Sequence, residues 1–144
     1  MKTLVIAQQK GGVGKTSSIV HLAFDFLERG FRVAVIDLDT QGNASFTLHD
    51  FNSDYPASQL FDQNGDDLRK WFRGLPDGPL MRLIAADAAL ANMEKRSLTE
   101  AAVVFKQNIT ALANSGFDVV LIDTARALGV SPLRSRLRYV THRA

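Results

Sequence analysis

Residues 10–17 of this 144-residue chain read Lys-Gly-Gly-Val-Gly-Lys-Thr-Ser, a spacing suited to gripping a phosphate. Gly11, Gly12 and Gly14, with Val13 between them, allow successive backbone N–H groups to curl around an anion. Lys15 can reach the outer phosphates of a bound nucleotide, and the Thr16 hydroxyl is a hard oxygen ligand for Mg²⁺. The strict G-x-x-x-x-G-K-S/T pattern would place glycine at position 9, where the chain has Gln9, so the loop is a variant of that pattern. A second group is acidic. Asp37 and Asp39 flank Leu38 at the end of an apolar run, and Asp123 closes another. Carboxylates at such places call for a cation or water as partner. His21, His49 and His142 show no metal-ligand spacing and read as ordinary surface or core residues.

These residues need elements to hold them. Residues 3–8, Thr-Leu-Val-Ile-Ala-Gln, form a short β-branched apolar run that predicts a buried parallel strand. From Lys15 to Arg29 the apolar residues Ile19, Leu22, Ala23, Phe26 and Leu27 recur at helical spacing, with Gly30 placed to end the helix. Phe31 to Ile36 predicts a second strand, completing a right-handed βαβ unit. The phosphate loop would then lie at a helix N-terminus, where unpaired N–H groups and the helix dipole favour an anion.

Residues 41–79 mix turn formers with short apolar pieces and suggest short surface helices. Trp71 and Phe72 beside Arg69, Lys70 and Arg73 read as an amphipathic helix with a solvated charged side rather than a nucleic-acid patch. Leu80 to Ala85 predicts a strand, about Thr99 to Asn114 a helix with Val103, Phe105, Ile109 and Leu112 among its apolar positions, and Phe117 to Ile122 the clearest strand. Alternating strands and helices give an α/β domain with a mainly parallel sheet.

Composition narrows the functional classes. The chain has no cysteine, which excludes disulfides, thiol nucleophiles and cysteine-held metals and fits a reducing, cytoplasmic setting. No apolar run is long enough for a membrane span, and the N-terminus has no signal-peptide pattern. Its net charge of +2 is unevenly spread. Up to Asp123 twelve basic residues face fifteen acids, a balance of −3, whereas five arginines and no acid follow, a balance of +5.

KGGVGKT at 10–16, VIDLDTQGNAS at 35–45 and FDVVLIDT at 117–124, in that order, resemble the motifs of the ParA/MinD family of deviant Walker ATPases, most closely the short plasmid partition ATPases of the ParA and IncC kind. The resemblance covers residues 1–124. It implies a P-loop NTPase-like mainly parallel sheet with helices on both faces, and ATP with Mg²⁺ as cofactors. It implies that Lys10 reaches across an ATP-dependent homodimer, that Lys15 holds the β- and γ-phosphates, that Thr16 ligates Mg²⁺ and that Ser17 touches the α-phosphate. Asp37 would lie near the Mg²⁺ shell, Asp39 would position the attacking water, and Asp123 would be the carboxylate that holds Mg²⁺ through water. A centromere-binding partner protein, non-specific DNA and no membrane are the family's implied partners.

The resemblance thins after Leu128-Gly129-Val130, where SPLRSRLRYVTHRA at 131–144 is rich in arginine and free of acid. Residues 125–144 are therefore read as a divergent tail, and the whole as the N-terminal part of a ParA-type domain lacking the C-terminal half of the fold, through truncation or a frameshift. A DNA-binding basic arm is the alternative reading of the tail. Two functions follow from the resemblance: a partition-type ATPase, or a non-catalytic fragment that serves only as a nucleotide-binding or dimerisation module, or a remnant without function. A membrane-switching relative would need a more apolar C-terminal helix, reductase relatives would need cluster cysteines, and amidotransferase-linked synthetases would need substrate-recognising residues not found here.

Overall fold

The computed structural model describes residues 2–7, 15–63, 65–93 and 98–124. Four strands, β1 (Lys2–Ala7), β2 (Arg32–Leu38), β3 (Leu80–Ile84) and β4 (Val119–Thr124), form one sheet in the order β1-β4-β2-β3, and every pairing is parallel. Five helices accompany them: α1 (Lys15–Glu28), α2 (Asn43–Thr47), α3 (Gly65–Trp71), α4 (Leu90–Met93) and α5 (Leu98–Asn114). Two 3₁₀ turns lie at His49–Phe51 and Ala57–Phe61. The predicted α/β architecture with a parallel sheet is what forms. Residues 125–144, with the arginine-rich tail and His142, lie outside the described residues, as does Gln8 of the first predicted strand.

Side-chain alternation along the strands builds two cores, one on each face of the sheet. Val33 and Val35, Met81 and Leu83, and Val119 and Leu121 pack with Ile19 and Ala23 of α1. Ala34 and Ile36, Leu80 and Ile84, and Val120 and Ile122 face the other way, onto Leu60, Leu68, Phe105, Ile109 and Leu112. Helices thus cover both faces. β2 and β4 are buried almost throughout, as their unbroken apolar runs require.

The middle of the chain departs from expectation. Short helical pieces form there, but they are not confined to the surface: Leu60, Leu68 and Phe72 fill the second core together with Tyr55 and Ala57. Phe61 stacks on Phe105 with ring centroids 5.0 Å apart, and Phe72 meets Phe117 edge-on at 5.4 Å. The charged side of α3 is solvated, as predicted: Arg69, Lys70 and Arg73 are exposed while Leu68 and Phe72 are buried. Asn108 on α5 ties this region down, its Nδ2 donating to Leu60 O at 2.8 Å and Gln63 O at 2.9 Å. One carbonyl lies within the 3₁₀ turn and the other just beyond it, so a single side chain fixes the end of that turn against α5. Gly65 lets α3 approach α5 closely, since a Cβ there would lie 3.2 Å from the Ala111 Cβ. Val103 faces solvent, unlike the other apolar positions of α5, with 55% of its surface exposed.

Phe31 and Phe117 also differ from expectation, and for one reason. Gly30 has φ +92°, its N–H donates to Leu27 O at 3.0 Å, and Phe31 N–H donates to Phe26 O at 3.0 Å. This pair of bonds is a Schellman closure of α1, with the Phe31 ring against Phe26 as its hydrophobic clasp. Gly116 and Phe117 repeat it at the end of α5, donating to Ala113 O and Leu112 O. Each phenylalanine closes a helix, and the strand begins after it.

Arg32 binds the end of the sheet remote from the acidic residues. Its Nε donates to Gly116 O at 2.9 Å and its Nη1 to Pro76 O and Gly78 O at 2.8 Å, so one guanidinium holds two separate turns. Arg32 N–H also donates to the Asp118 carboxylate at 2.9 Å. Replacing Arg32 with Met, which keeps the stem and removes the donors, is expected to cost about 1–3 kcal/mol in urea unfolding; a change below about 0.5 kcal/mol would show that water replaces these bonds at no cost.

Tyr55 is 2% exposed, and its hydroxyl has no hydrogen-bond partner among the described residues. Burial, with a smaller contribution from the Asp67 charge, pushes its phenol up to about 12. The folded state then holds the phenolic proton more tightly than the unfolded chain, so this contribution is intact below about pH 10 and is lost as pH rises towards 12. Tyr55→Phe is therefore expected to be as stable as the parent at pH 7, or up to about 1 kcal/mol more stable. Above pH 10 its melting temperature should fall less than the parent's; parallel decline of the two would refute the assignment.

Candidate functional site

Parallel register brings the acidic residues together. Asp37 is the pairing partner of Asp123 across β2 and β4, and Ile6 of β1 is its partner on the other side. Asp37 continues the alternation of Val33 and Val35, and Asp123 that of Val119 and Leu121, so both carboxylates lie on the sheet face that packs against α1. Both residues are fully buried, at the C-terminal ends of their strands, where open α/β sheets bind ligands.

The first turn of α1 faces this pair. Thr16 Oγ1 lies 3.4 Å from Asp123 Oδ2, a long donor distance that leaves the hydroxyl free to shorten onto a different partner. Lys15 opens α1, and Ser17 is exposed one residue after Thr16. Lys10, Gly11, Gly12, Val13 and Gly14 lie outside the described residues. In sequence they connect β1 to α1, and β1 pairs with the strand that carries Asp123.

Asp37 is held by three hydrogen bonds. Its Oδ1 accepts from Asp39 N–H at 3.0 Å, and its Oδ2 accepts from Ser45 N–H at 2.9 Å and from the Ser45 hydroxyl at 2.6 Å. Burial raises its carboxyl above the usual carboxylate range, while the Ser45 and Asp39 bonds oppose that rise. Asp39 lies beyond the strand end and is partly exposed. Its own Oδ1 accepts from Gln41 N–H at 3.0 Å, an Asx turn that directs the chain into Gly42 and α2. Asp37 and Asp123 thus converge with Thr16, and Asp39 stands at the rim.

The donor set is hard oxygen: two buried carboxylates and one hydroxyl. Among the described residues no group of three or more His, Cys, Asp or Glu side chains could hold a metal ion by itself. Mg²⁺ does not require one, because it keeps several waters and takes one or two carboxylates together with substrate phosphates. The residues present fit that ion. Ser45 and the end of β3 complete the surroundings, since Ala86 N–H donates to Ser45 Oγ at 2.8 Å. Sequence spacing assigned no role to Ser45, although it closes the second motif. A small hydroxyl eight residues after Asp37, in the first turn of a helix, was the available signal.

No helix of the described residues is long and apolar enough to cross a membrane. Residues 1–135 match the family described as AAA domain, a match that runs through all three motifs and past Asp123. Among curated proteins, the chain is 62% identical over 131 residues to Protein IncC of Escherichia coli, covering 91% of this chain and 36% of that protein. It is 46% identical over 48 residues to the chromosome-partitioning ATPase Soj of Thermus thermophilus, covering 33% of this chain and 19% of Soj. Among solved structures, it resembles cobyrinic acid a,c-diamide synthase from Mycobacterium smegmatis with bound ADP and magnesium, at 25% identity and a TM-score of 0.73, covering 98% of this chain and 59% of that one. The chain spans about a third of the length of its IncC relative. With the second and third motifs brought to the ends of adjoining parallel strands and the family match running over residues 1–135, the chain belongs to the AAA-domain family.

Proposed function

We propose that this chain is the nucleotide-binding part of a partition-type ATPase that takes ATP with Mg²⁺ and hydrolyses it. The observation that supports this most is the register pairing of Asp37 with Asp123 on the α1 face, beside the Thr16 hydroxyl. The bound ADP and magnesium of the mycobacterial synthase and the partitioning role named for Soj point the same way.

In this reading the amides of Gly11, Gly12, Val13 and Gly14 cradle the phosphates at the N-terminus of α1. Lys15 neutralises the β- and γ-phosphates, and Ser17 contacts the α-phosphate. Thr16 and Asp123 would hold Mg²⁺ with Asp37 near its shell, and the ion would supply charge neutralisation on the phosphate oxygens when bound. Asp39, partly exposed at the rim, orients the attacking water for in-line displacement. Catalysis then comes chiefly from positioning and charge stabilisation rather than from a strong base. Lys10 completes the site of a second copy in an ATP-dependent homodimer. A centromere-bound partner protein and non-specific DNA are the assigned partners, in the cytoplasm, and residues 125–144 form a separate arginine-rich tail.

A second reading rests on the span of the match. The chain covers 36% of IncC, so a nucleotide-binding or dimerisation module without turnover is the competing proposal. Phosphate release under saturating Mg²⁺ and ATP separates the two.

Binding of a fluorescent ATP analogue to the purified chain tests the shared part. Lys15→Ala is expected to weaken Mg²⁺-dependent binding at least tenfold, about 1.4 kcal/mol or more. Asp123→Asn should abolish most of the gain in affinity that Mg²⁺ gives while leaving binding in EDTA nearly unchanged. Failure of the folded parent to bind the analogue would end the nucleotide reading.

A further inference from the structure

Asp37 has about four acceptor positions on its two oxygens, and three are filled from within the fold. Two of those three come from Ser45 and converge on Oδ2. The remaining position is on Oδ1, so the direction in which this carboxylate can accept another donor is set by what grips the opposite oxygen. That grip is itself anchored: Ser45 Oγ donates to Asp37 at 2.6 Å and accepts from Ala86 N–H at 2.8 Å, which ties the end of β2 to the end of β3. The chain just beyond Ala86 is pinned in turn, because Asp87 accepts from Ser58 N–H at 2.9 Å and from the Ser58 hydroxyl at 2.6 Å. Ser45 therefore reaches Asp37 from a rigid support and not from a mobile loop.

We propose that Ser45 is a positioning residue for the metal-nucleotide site: its hydroxyl, braced by the Ala86 amide, orients Asp37 so that the open side of its Oδ1 accepts from a water of the bound Mg²⁺. This rests on the nucleotide reading above. A cap for the first turn of α2 would need only the Ser45 amide bond to Asp37. The hydroxyl bond and its Ala86 brace are additional, and they act on the same carboxylate oxygen. Partners of this kind that orient a metal-site group typically change metal affinity 10–100-fold when removed.

Mg²⁺ titration of fluorescent ATP-analogue binding, compared with binding in EDTA, provides the test. Ser45→Ala is expected to raise the Mg²⁺ concentration for half-saturation about 10–100-fold, with binding in EDTA within about twofold of the parent. Ser45→Thr, which keeps a hydroxyl, should restore the parent value to within about threefold. Ser115→Ala removes a serine hydroxyl bond, to Ala111 O at 2.8 Å, at the end of α5 and outside this network, and should leave Mg²⁺ dependence unchanged. A Ser45→Ala half-saturation within twofold of the parent would overturn the proposal, and so would an equal rise in Ser115→Ala. Should Ser45→Ala not fold, hydrogen exchange on the parent decides: the Ala86 amide should exchange at least about tenfold more slowly with Mg²⁺ and nucleotide than with nucleotide in EDTA, and equal rates refute the assignment. A folded parent that binds no analogue removes the nucleotide reading and this one together. Normal parent binding with an indifferent Ser45→Ala removes this one alone.

Discussion

Asp37 and Asp123 occupy adjoining strands of the sheet, which lie about 4.8 Å apart in a parallel ladder, and both are fully buried on the same face. Two carboxylates withdrawn from water side by side are costly unless each has partners and the pair has a counter-charge. The local architecture answers that requirement. Ser45 and the Asp39 amide surround Asp37, Thr16 reaches towards Asp123, and the α1 N-terminus directs its dipole into the same space. The bends at Asp39 and Gly42, the short α2 and the Ala86 amide beyond β3 surround this pair and hold Asp37 in one orientation.

Much of this was legible in the sequence because it depends on periodicity. The strand of residues 32–38 and the helix starting at Lys15 follow from apolar spacing, and Asp37 and Asp123 stood out because each follows an unbroken apolar stretch, 33–36 and 119–122. Register was not legible. That Asp37 faces Asp123 depends on a pairing between residues 86 positions apart, which no local pattern encodes. The role of Ser45 was hidden for the same reason, since Ala86 reaches it only through the fold.

Phe31 and Phe117 were assigned to strands because their apolar character continues the runs that follow. They belong instead to the helix ends before them, where a left-handed glycine turns the chain and the next residue must clasp the helix. The middle of the chain was harder. Polar Ser53, Asn52 and Ser58 alternate with Tyr55, Ala57 and Leu60 at no regular period, so a segment that is core on one side looks like a surface loop. Tertiary contacts with α5, through Asn108 above all, decide its fate.

That same segment closes one margin of the sheet. Asn52 bridges to Leu83, Ser53 donates through both its amide and its hydroxyl to Leu83 O, and Ala57 N–H takes Ala85 O. At Leu83 and Ala85 the chain thereby covers the outer side of β3 and its continuation with its own backbone, and carbonyls there that would recruit a stranger are already engaged.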